Sequence, residues 1–109
     1  MPSQRDLADL RSTDFATRLR AVVSLRSVPG VEATEALIGA LHDDDTGVID
    51  AAAAALVHRE DPRAIDALVA ALHLQDEDAE IADHVAWVLR ERESSSWYAA
   101  GVLQRAGDA

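Results

Sequence analysis

Histidines that recur near acidic residues are the part of this chain in which metal chemistry would first be sought. His42 and His73 lie 31 residues apart, and each directly follows a leucine. Two imidazoles near carboxylates could bind a divalent metal ion. Each histidine also stands at the end of an expected helix, where partial negative charge favours a cation. We interpret both as helix-capping residues, and the sequence predicts no metal and no other cofactor.

Two acidic turns offer a second kind of site. They are 43–45, which reads Asp-Asp-Asp, and 76–78, which reads Asp-Glu-Asp. Neither turn has the D-x-D-x-D-G arrangement and distal Glu of a calcium loop, so calcium is not expected. Carboxylates just ahead of a helix stabilise its N-terminus by about 0.3–1 kcal/mol each. Helix capping is therefore the favoured interpretation, and a negative ridge that docks a basic partner is the alternative.

Signatures of nucleophilic or phosphate chemistry are absent from the sequence. It has no cysteine, no glycine-rich phosphate loop and no G-x-S-x-G elbow. The serines at 94–96 have no base that spacing alone identifies, and we interpret them as a helix cap or a hinge. The sequence therefore predicts a protein that is not an enzyme.

A repeat of leucines organises the elements that carry these residues. The leucines are Leu10, Leu25, Leu41, Leu56, Leu72 and Leu89. Their successive intervals are 15, 16, 15, 16 and 17 residues, and the last is longer because its acidic turn is longer. Periods of this size are typical of arrays in which each unit is one element that cannot bury its apolar face alone. We predict an all-α fold in which Leu25, Leu56 and Leu89 occupy equivalent buried places.

Turn residues divide the chain into units within a single domain, 1–109. The predicted repeats are about 3–29, 30–60 and 61–93, and a C-terminal capping helix follows at about 96–106. Pro29-Gly30 is a pairing that ends helices. Asp61-Pro62 is a strong start signal, because Asp is a good N-cap and Pro suits the first helical position.

The composition restricts the partners. Ten arginines and no lysine stand against twenty acidic residues, for a net charge of −10. Such a surface repels nucleic-acid phosphates and anionic membranes, and it attracts basic partners. No apolar run approaches the ~20 residues that span a bilayer, and the first residues do not form a secretory signal. We expect a cytoplasmic protein that binds another protein, with no nucleic acid and no membrane as partner; the sequence leaves the oligomeric state open.

The segment Val48–Leu72, VIDAAAAALVHREDPRAIDALVAAL, resembles the HEAT-like repeats first associated with phycobilisome lyases. The resemblance covers about residues 7–92. It implies a short right-handed α-solenoid of about three antiparallel helix pairs plus a C-terminal helix, whose usual role is to grip another protein. In that family an arginine commonly follows the valine that opens the second helix of a pair, and Arg18 occupies that slot here. Some HEAT-repeat hydroxylases bind two irons through His-Glu pairs, but no His-Glu dipeptide occurs in this chain.

In such stacks the second helix of each pair lines the concave surface, and winding these helices at 100° per residue defines candidate rows on it. The positions two residues before three of the repeated leucines form an apolar row, which acids and a histidine border. The predicted partner-binding residues are Val23, Ala54, Trp87, Asp50, Asp83, His58 and Glu91. An apolar row bordered by acids suits a basic or amphipathic segment, with Trp87 as its aromatic anchor.

Two questions have alternative answers. The favoured interpretation of Trp87 is that the C-terminal helix covers it through Trp97 and Tyr98, because a helix that is apolar on several sides needs cover; the alternative is an exposed anchor.

The favoured function is a non-enzymatic adaptor, inhibitor or assembly factor. The alternative is a subunit of a chromophore lyase or a chaperone-like enzyme, and a HEAT-like DNA-base glycosylase ranks last because a basic concave surface is lacking.

Overall fold

The protein is built from helices joined by short turns. A computed structural model describes residues 2–59, 61–93 and 96–107. Its α-helices are α1 (Gln4–Asp9), α2 (Phe15–Leu25), α3 (Val31–Ala40), α4 (Thr46–Arg59), α5 (Pro62–Leu72), α6 (Ala79–Trp87) and α7 (Trp97–Gly107). A 3-10 turn at Asp76–Asp78 precedes α6, and a π-helical turn at Val88–Arg92 follows it. No strand occurs in these ranges, and the all-α prediction is confirmed.

The helices stack as pairs. α1 packs with α2, α3 with α4, and α5 with α6, while α2, α4 and α6 lie side by side. Of the remaining helices, α3 contacts α5, and α7 packs on the other side of α5. The architecture is the predicted α-solenoid of three helix pairs plus a C-terminal helix. We call α2, α4 and α6 the second helices, and their outward surface the second-helix face.

The repeated leucines form the centre of the core. Leu25 and Leu56 have no exposed surface, and Leu89 is 1% exposed. Leu37 and Leu68, on the first helices of the second and third pairs, are fully buried in the same cluster. The prediction that equivalent leucines occupy equivalent buried places is therefore confirmed. Truncation of a leucine in such a place costs about 2–5 kcal/mol, because it removes apolar contact and leaves a cavity.

Helix α4 is buried on most of its circumference. It lies between α2 and α6 and also packs on α3 and α5. Every residue from Ala52 to Val57 is buried. The distance between packed helices depends on the side chains at the contact, so the alanine run allows the neighbours to approach closely. Ala54, which we expected in an exposed row, is for this reason only 5% exposed.

Short polar residues begin the helices as the sequence indicates. The Asp61 side chain accepts a hydrogen bond from the backbone N–H of Arg63, and Pro62 occupies the first turn of α5. Asp45 accepts from two backbone N–H groups in the first turn of α4. Gly30, just before α3, has a φ of +106°, which residues with a Cβ rarely adopt. The capping interpretation is thus confirmed at Asp45 of the first acidic turn, whereas Asp78 of the second turn, the N-cap of α6, makes no side-chain capping hydrogen bond.

Helix α6 ends in a wider π-helical turn. The helix is regular from Ala79 to Trp87, and the hydrogen bonding changes at Val88. The N–H of Glu93 donates to the carbonyl oxygen of Val88 at 2.8 Å, which is five residues back. Single π-helical turns are rare and occur frequently at functional sites. This one begins directly after Trp87, and it brings Glu93 to His58 of α4.

Helix α7 packs on α5 rather than over Trp87. Tyr98 is 7% exposed, and its hydroxyl donates to the backbone carbonyl of the residue that caps α5, at 3.0 Å. His73 Nε2 lies 2.8 Å from the carbonyl oxygen of Ala106, near the end of α7. Trp97 is 77% exposed and Trp87 is 48% exposed. The expectation that α7 covers Trp87 is therefore wrong, because α7 packs its apolar side on α5 and the π-helical turn.

Candidate protein-binding surface

Two of the residues predicted for the apolar row are exposed on the second helices, and Phe15, the first residue of α2, is also 53% exposed. Val23 on α2 is 58% exposed, and Trp87 on α6 is 48% exposed. They occupy equivalent places in the first and third repeats, each two residues before a buried leucine. Ala54 is the equivalent residue of α4, and its burial interrupts the predicted row. The apolar contacts available to a partner therefore lie on either side of α4.

Trp87 faces outward because the opposite side of α6 belongs to the core. Ile81 and Val85 are buried, with exposures of 9% and 0%. Trp87 stands two residues after Val85, and a rotation of about 100° per residue turns it to the far side of the helix. About half of its side chain is covered by the protein and half is free. Tryptophans are enriched among the residues that contribute most to binding at protein interfaces.

Exposed carboxylates surround Trp87. Glu80 and Asp83 lie on α6, and Glu91 lies in the π-helical turn; all three are exposed. Asp83 precedes Trp87 by four residues, which places the two side chains next to each other on the helix surface. Within the described part of the chain, Asp83 and Glu91 make no hydrogen bond or ion pair. These two carboxylates are therefore available to a cation, and the exposed Arg90 also lies near Trp87, three residues after it.

Asp50 is engaged inside the protein rather than offered to solvent. Its side chain is 21% exposed, and its Oδ1 lies 3.4 Å from His84 Nδ1. That contact does not have hydrogen-bond geometry, and Oδ1 is buried without a donor among the described residues. Burial raises the pKa of Asp50, and the positive charges of His84 and Arg92 offset part of the rise. Asp50 thus faces α6, where His84 also approaches Glu80 at 3.8 Å.

His58 and Glu93 form a second link between α4 and the end of α6. His58 Nε2 lies 3.2 Å from Glu93 Oε1. The His58 side chain is 47% exposed, whereas that of Glu93 is 15% exposed. His58 therefore keeps an exposed edge although one ring nitrogen already has a partner. The two histidine–carboxylate contacts connect neighbouring second helices at two levels of the same face.

Arg18 uses much of the first acidic turn. Its Nε donates to Asp43 Oδ2 at 2.9 Å, its Nη2 donates to Asp43 Oδ1 at 3.1 Å, and its Nη1 donates to the Ser12 carbonyl at 2.8 Å. Burial by itself would raise the pKa of Asp43, but the hydrogen bonds and charge of Arg18 and the backbone N–H of Asp45 together outweigh it, and the pKa is lowered. Asp44 is 95% exposed, and the residues of 76–78 are also exposed. Asp44 Oδ1 also lies 3.2 Å from Arg18 Nη2, so both Asp43 and Asp44 contact Arg18, and the acids of 76–78 are exposed carboxylates of the second turn.

Arg59 is a structural residue that the sequence analysis missed. It is the last residue of α4, and its guanidinium donates to Thr34 Oγ1 at 2.7 Å. It also donates to the carbonyl oxygens of Val28 at 2.7 Å and Gly30 at 3.0 Å. These contacts join the turn between the first and second pairs to the end of α4. The position of Arg59 at the end of a second helix indicates that it could contact carbonyl groups, but the sequence does not show which carbonyl groups it reaches.

Neither a metal centre nor a membrane-crossing helix is found in the described ranges. No three His, Cys, Asp or Glu side chains there are grouped so as to hold a metal ion. Of the two histidines considered as ligands, His73 contacts α7 and His42 is exposed. None of the described helices has both the length and the apolar character that crossing a bilayer requires.

Comparison with known proteins gives one match that covers most of the chain. A family model described as HEAT repeats matches residues 6–90. The match agrees with the resemblance at the level of HEAT repeats and does not extend to the phycobilisome-lyase type. Neither a curated protein nor a solved structure matches the chain.

Proposed function

This chain belongs to the HEAT repeat family, and from that membership we propose that it is a non-enzymatic module that binds another protein. Solenoids of this kind commonly use their extended surfaces for binding. The proposed role is that of an adaptor, inhibitor or assembly factor, which holds a partner segment on the second-helix face. One observation carries the proposal: Trp87 is 48% exposed, with acids around it, and α7 packs on α5 and the π-helical turn rather than over it.

Five of the seven predicted site residues reach the surface and form the proposed site. They are Val23, His58, Asp83, Trp87 and Glu91. In this proposal the buried Ala54 supports the face without touching the partner. Asp50 has the same supporting role, because it already contacts His84.

We infer that the partner segment is basic and amphipathic. Its apolar side chains would contact Trp87 and Val23, and its arginines or lysines would pair with Asp83 and Glu91. A cation placed over an exposed indole adds about 0.5–1 kcal/mol. The net charge of −10 also speeds the approach of a positively charged partner.

The test begins with affinity capture of the partner from the native host, identification by mass spectrometry, and purification. Trp87→Ala is expected to weaken binding of the purified partner by about 30-fold or more, as truncation of an aromatic anchor does. Asp83→Arg is expected to weaken it as well, because it places a like charge opposite the basic segment. Both variants should retain the far-ultraviolet circular dichroism of the parent chain.

Trp97→Ala is the matched control, because Trp97 is the other exposed tryptophan and lies on α7. It should leave the affinity unchanged. Unchanged affinity in both Trp87→Ala and Asp83→Arg would show that the second-helix face is not the site. A tetrapyrrole that co-purifies with the chain would instead support the subunit of a chromophore lyase.

A further inference from the structure

A second apolar groove lies on the first helices, between α1 and α3. Its volume is about 570 Å³. One wall is formed by Leu7 of α1 and by Leu10 and Arg11, which follow α1. The other wall belongs to α3 and includes Val31, Ala36 and Ala40 together with Glu32 and Glu35. Val31 is 48% exposed, and the two leucines are partly exposed. The fold therefore leaves an apolar channel uncovered at the N-terminal end of the stack.

The groove exists because α1 is too short to complete its layer. It has six residues, whereas α3 has 10 and α5 has 11, and none of its residues is buried. Polar contacts hold it to α2: Ser24 Oγ donates to Asp6 Oδ2 at 2.9 Å, and Arg20 lies 3.6 Å from Asp9. Because these contacts direct α1 towards α2, one flank of α3 stays open.

The contact between α3 and α5 shows how the corresponding side of a first helix packs against its neighbour. α5 turns one flank towards α3, where Arg63 Nε lies 3.8 Å from Glu35 Oε1. Ala67 and Ala71 follow Arg63 at intervals of four residues and so lie on the same side of α5. Ala71 is 2% exposed. This side of α5 thus combines small side chains with the positive charge of Arg63, which is opposite in sign to Glu35 of α3.

The equivalent flank of α3 has the same pattern with the charge reversed. Thirty-one residues before their counterparts in α5, it carries Glu32, Ala36 and Ala40. Ala40 is partly exposed. At Gly39, between them, an added Cβ would meet no atom within 4 Å. A helix that docks against α3 therefore has room. It would face the carboxylate of Glu32, whereas α3 faces the guanidinium of Arg63 on α5.

We propose that this groove is a second docking site, which receives an amphipathic helix of a partner protein through apolar side chains and basic residues that face Glu32 and Glu35. Apolar residues spaced by three and four positions would enter between α1 and α3. Glu32 makes no ion pair in the described ranges. The Glu35–Arg63 contact joins side chains that are 58% and 55% exposed, so it yields readily to a better placed cation.

The probe is a synthetic peptide of residues 30–42 that carries Glu32→Lys and Glu35→Lys, and the unaltered peptide is its charge control. This peptide reproduces the helix that α5 already receives, with the charge reversed to suit α3. Isothermal titration calorimetry against the full chain at low salt should show the lysine peptide binding about tenfold more tightly than the control. The preference should decrease as salt is added.

Gly39→Leu is the decisive variant, because Gly39 lines the groove and a Cβ added there meets no atom within 4 Å. It should keep its circular dichroism and lose affinity for the lysine peptide by about tenfold or more. Gly101→Leu is the matched control, since Gly101 is also a helical glycine with open space at its Cβ, but on α7. Gly101→Leu and Trp87→Ala should both leave the affinity for the peptide unchanged, which separates this site from the second-helix face.

Equal affinity of the parent chain and Gly39→Leu for the lysine peptide would overturn the proposal. Equal binding of the two peptides would overturn the charge assignment on which it rests. Light scattering provides the third outcome: a dimer that Gly39→Leu converts to a monomer would make a second copy of the chain the occupant, and the proposed partner helix would be wrong.

Discussion

Asp43 and Asp50 are both largely removed from solvent, yet their surroundings shift their pKa values in opposite directions. Their side chains are 12% and 21% exposed. Burial would raise the pKa of Asp43, but the hydrogen bonds and charge of Arg18 and the backbone N–H of Asp45 together outweigh it, and the pKa falls. At Asp50 burial is the larger effect and the pKa rises. Folding therefore favours the charged form of the first carboxyl and the neutral form of the second.

Asp43→Asn is expected to lower the free energy of unfolding by about 1.5–3 kcal/mol at neutral pH, since it removes charged hydrogen bonds to Arg18. The pKa of Asp43 is lowered from 3.8. The contribution of a carboxyl with a lowered pKa is present above that value and is lost as the pH falls through the folded-state pKa. Urea unfolding from about pH 3 to pH 7 should show the two proteins converging in acid. Equal stability at neutral pH would contradict the role assigned to the Arg18–Asp43 pair.

Asp50→Asn should behave in the opposite way. The pKa of Asp50 is raised above 3.8, so its neutral form stabilises the fold below that pH, and this contribution is lost as the pH rises through the folded-state pKa. Asparagine keeps the shape without the charge. The variant should therefore be at least as stable as the parent at neutral pH, with a flatter pH profile in the same urea experiment. A loss as large as that of Asp43→Asn would mean that attraction to His84 outweighs burial.

At the scale of the helix, α6 separates a core side from a surface side. Trp87→Ala should reduce the free energy of unfolding by about 1 kcal/mol, because roughly half of the indole already contacts water. Leu89→Ala, in the π-helical turn that follows, should cost about 2–5 kcal/mol, because Leu89 is buried. Chemical denaturation of the two variants compares these values directly. A loss of ~3–5 kcal/mol at Trp87 would place the indole in the core instead.

The helices themselves were predictable from local signals. Leucine spacing, the Pro29-Gly30 turn and the Asp61-Pro62 start depend on residues close together in the sequence. The helices α3 and α5 consequently begin at Val31 and Pro62, directly at these signals, whereas α6 ends in the π-helical turn. That turn has no such local signal, and its hydrogen bond from Glu93 to Val88 is known only from the structure.

The candidate site was less predictable, because exposure depends on neighbours that are distant in the sequence. Val23 and Trp87 are exposed on the helix side that winding indicates, but Ala54 is buried because α4 lies at the centre of the stack. The position of α7 could not be read from its pattern, because a helix that is apolar on several sides fits more than one neighbour. Hydrogen bonds of Tyr98 and His73 join α7 to the two ends of α5.

At the scale of the whole molecule, side chains that reach between pairs hold the stack together. Arg18 reaches from α2 to the acidic turn before α4, and Arg59 reaches from α4 back to the turn before α3. Each contact crosses about 25 to 31 residues of sequence. Nearest-neighbour contacts of this kind decide whether a short solenoid unfolds as one unit.

Arg59→Ala is expected to destabilise the protein by about 1.5–3 kcal/mol, because a hydrogen-bonded guanidinium is removed from several carbonyls. Arg59→Lys should recover only part of this, since one ammonium cannot reproduce the planar fork. Arg63→Ala is the control, because its contact with Glu35 is exposed and contributes little. Thermal unfolding followed by circular dichroism ranks the three variants. If Arg59→Ala and Arg63→Ala both unfolded at the same temperature as the parent protein, the hydrogen bonds of Arg59 would not contribute to stability.

Both indole rings of this protein are wet in the native state, since Trp87 is 48% and Trp97 is 77% exposed. Their emission spectrum should already resemble that of an indole in water, so the loss of structure will shift its maximum little. Intrinsic tryptophan fluorescence is therefore a poor probe of unfolding for this protein. It is instead a good reporter of binding at the second-helix face. With Trp97→Phe only the indole of Trp87 remains, and a blue shift of its emission would show that a partner covers this ring on α6.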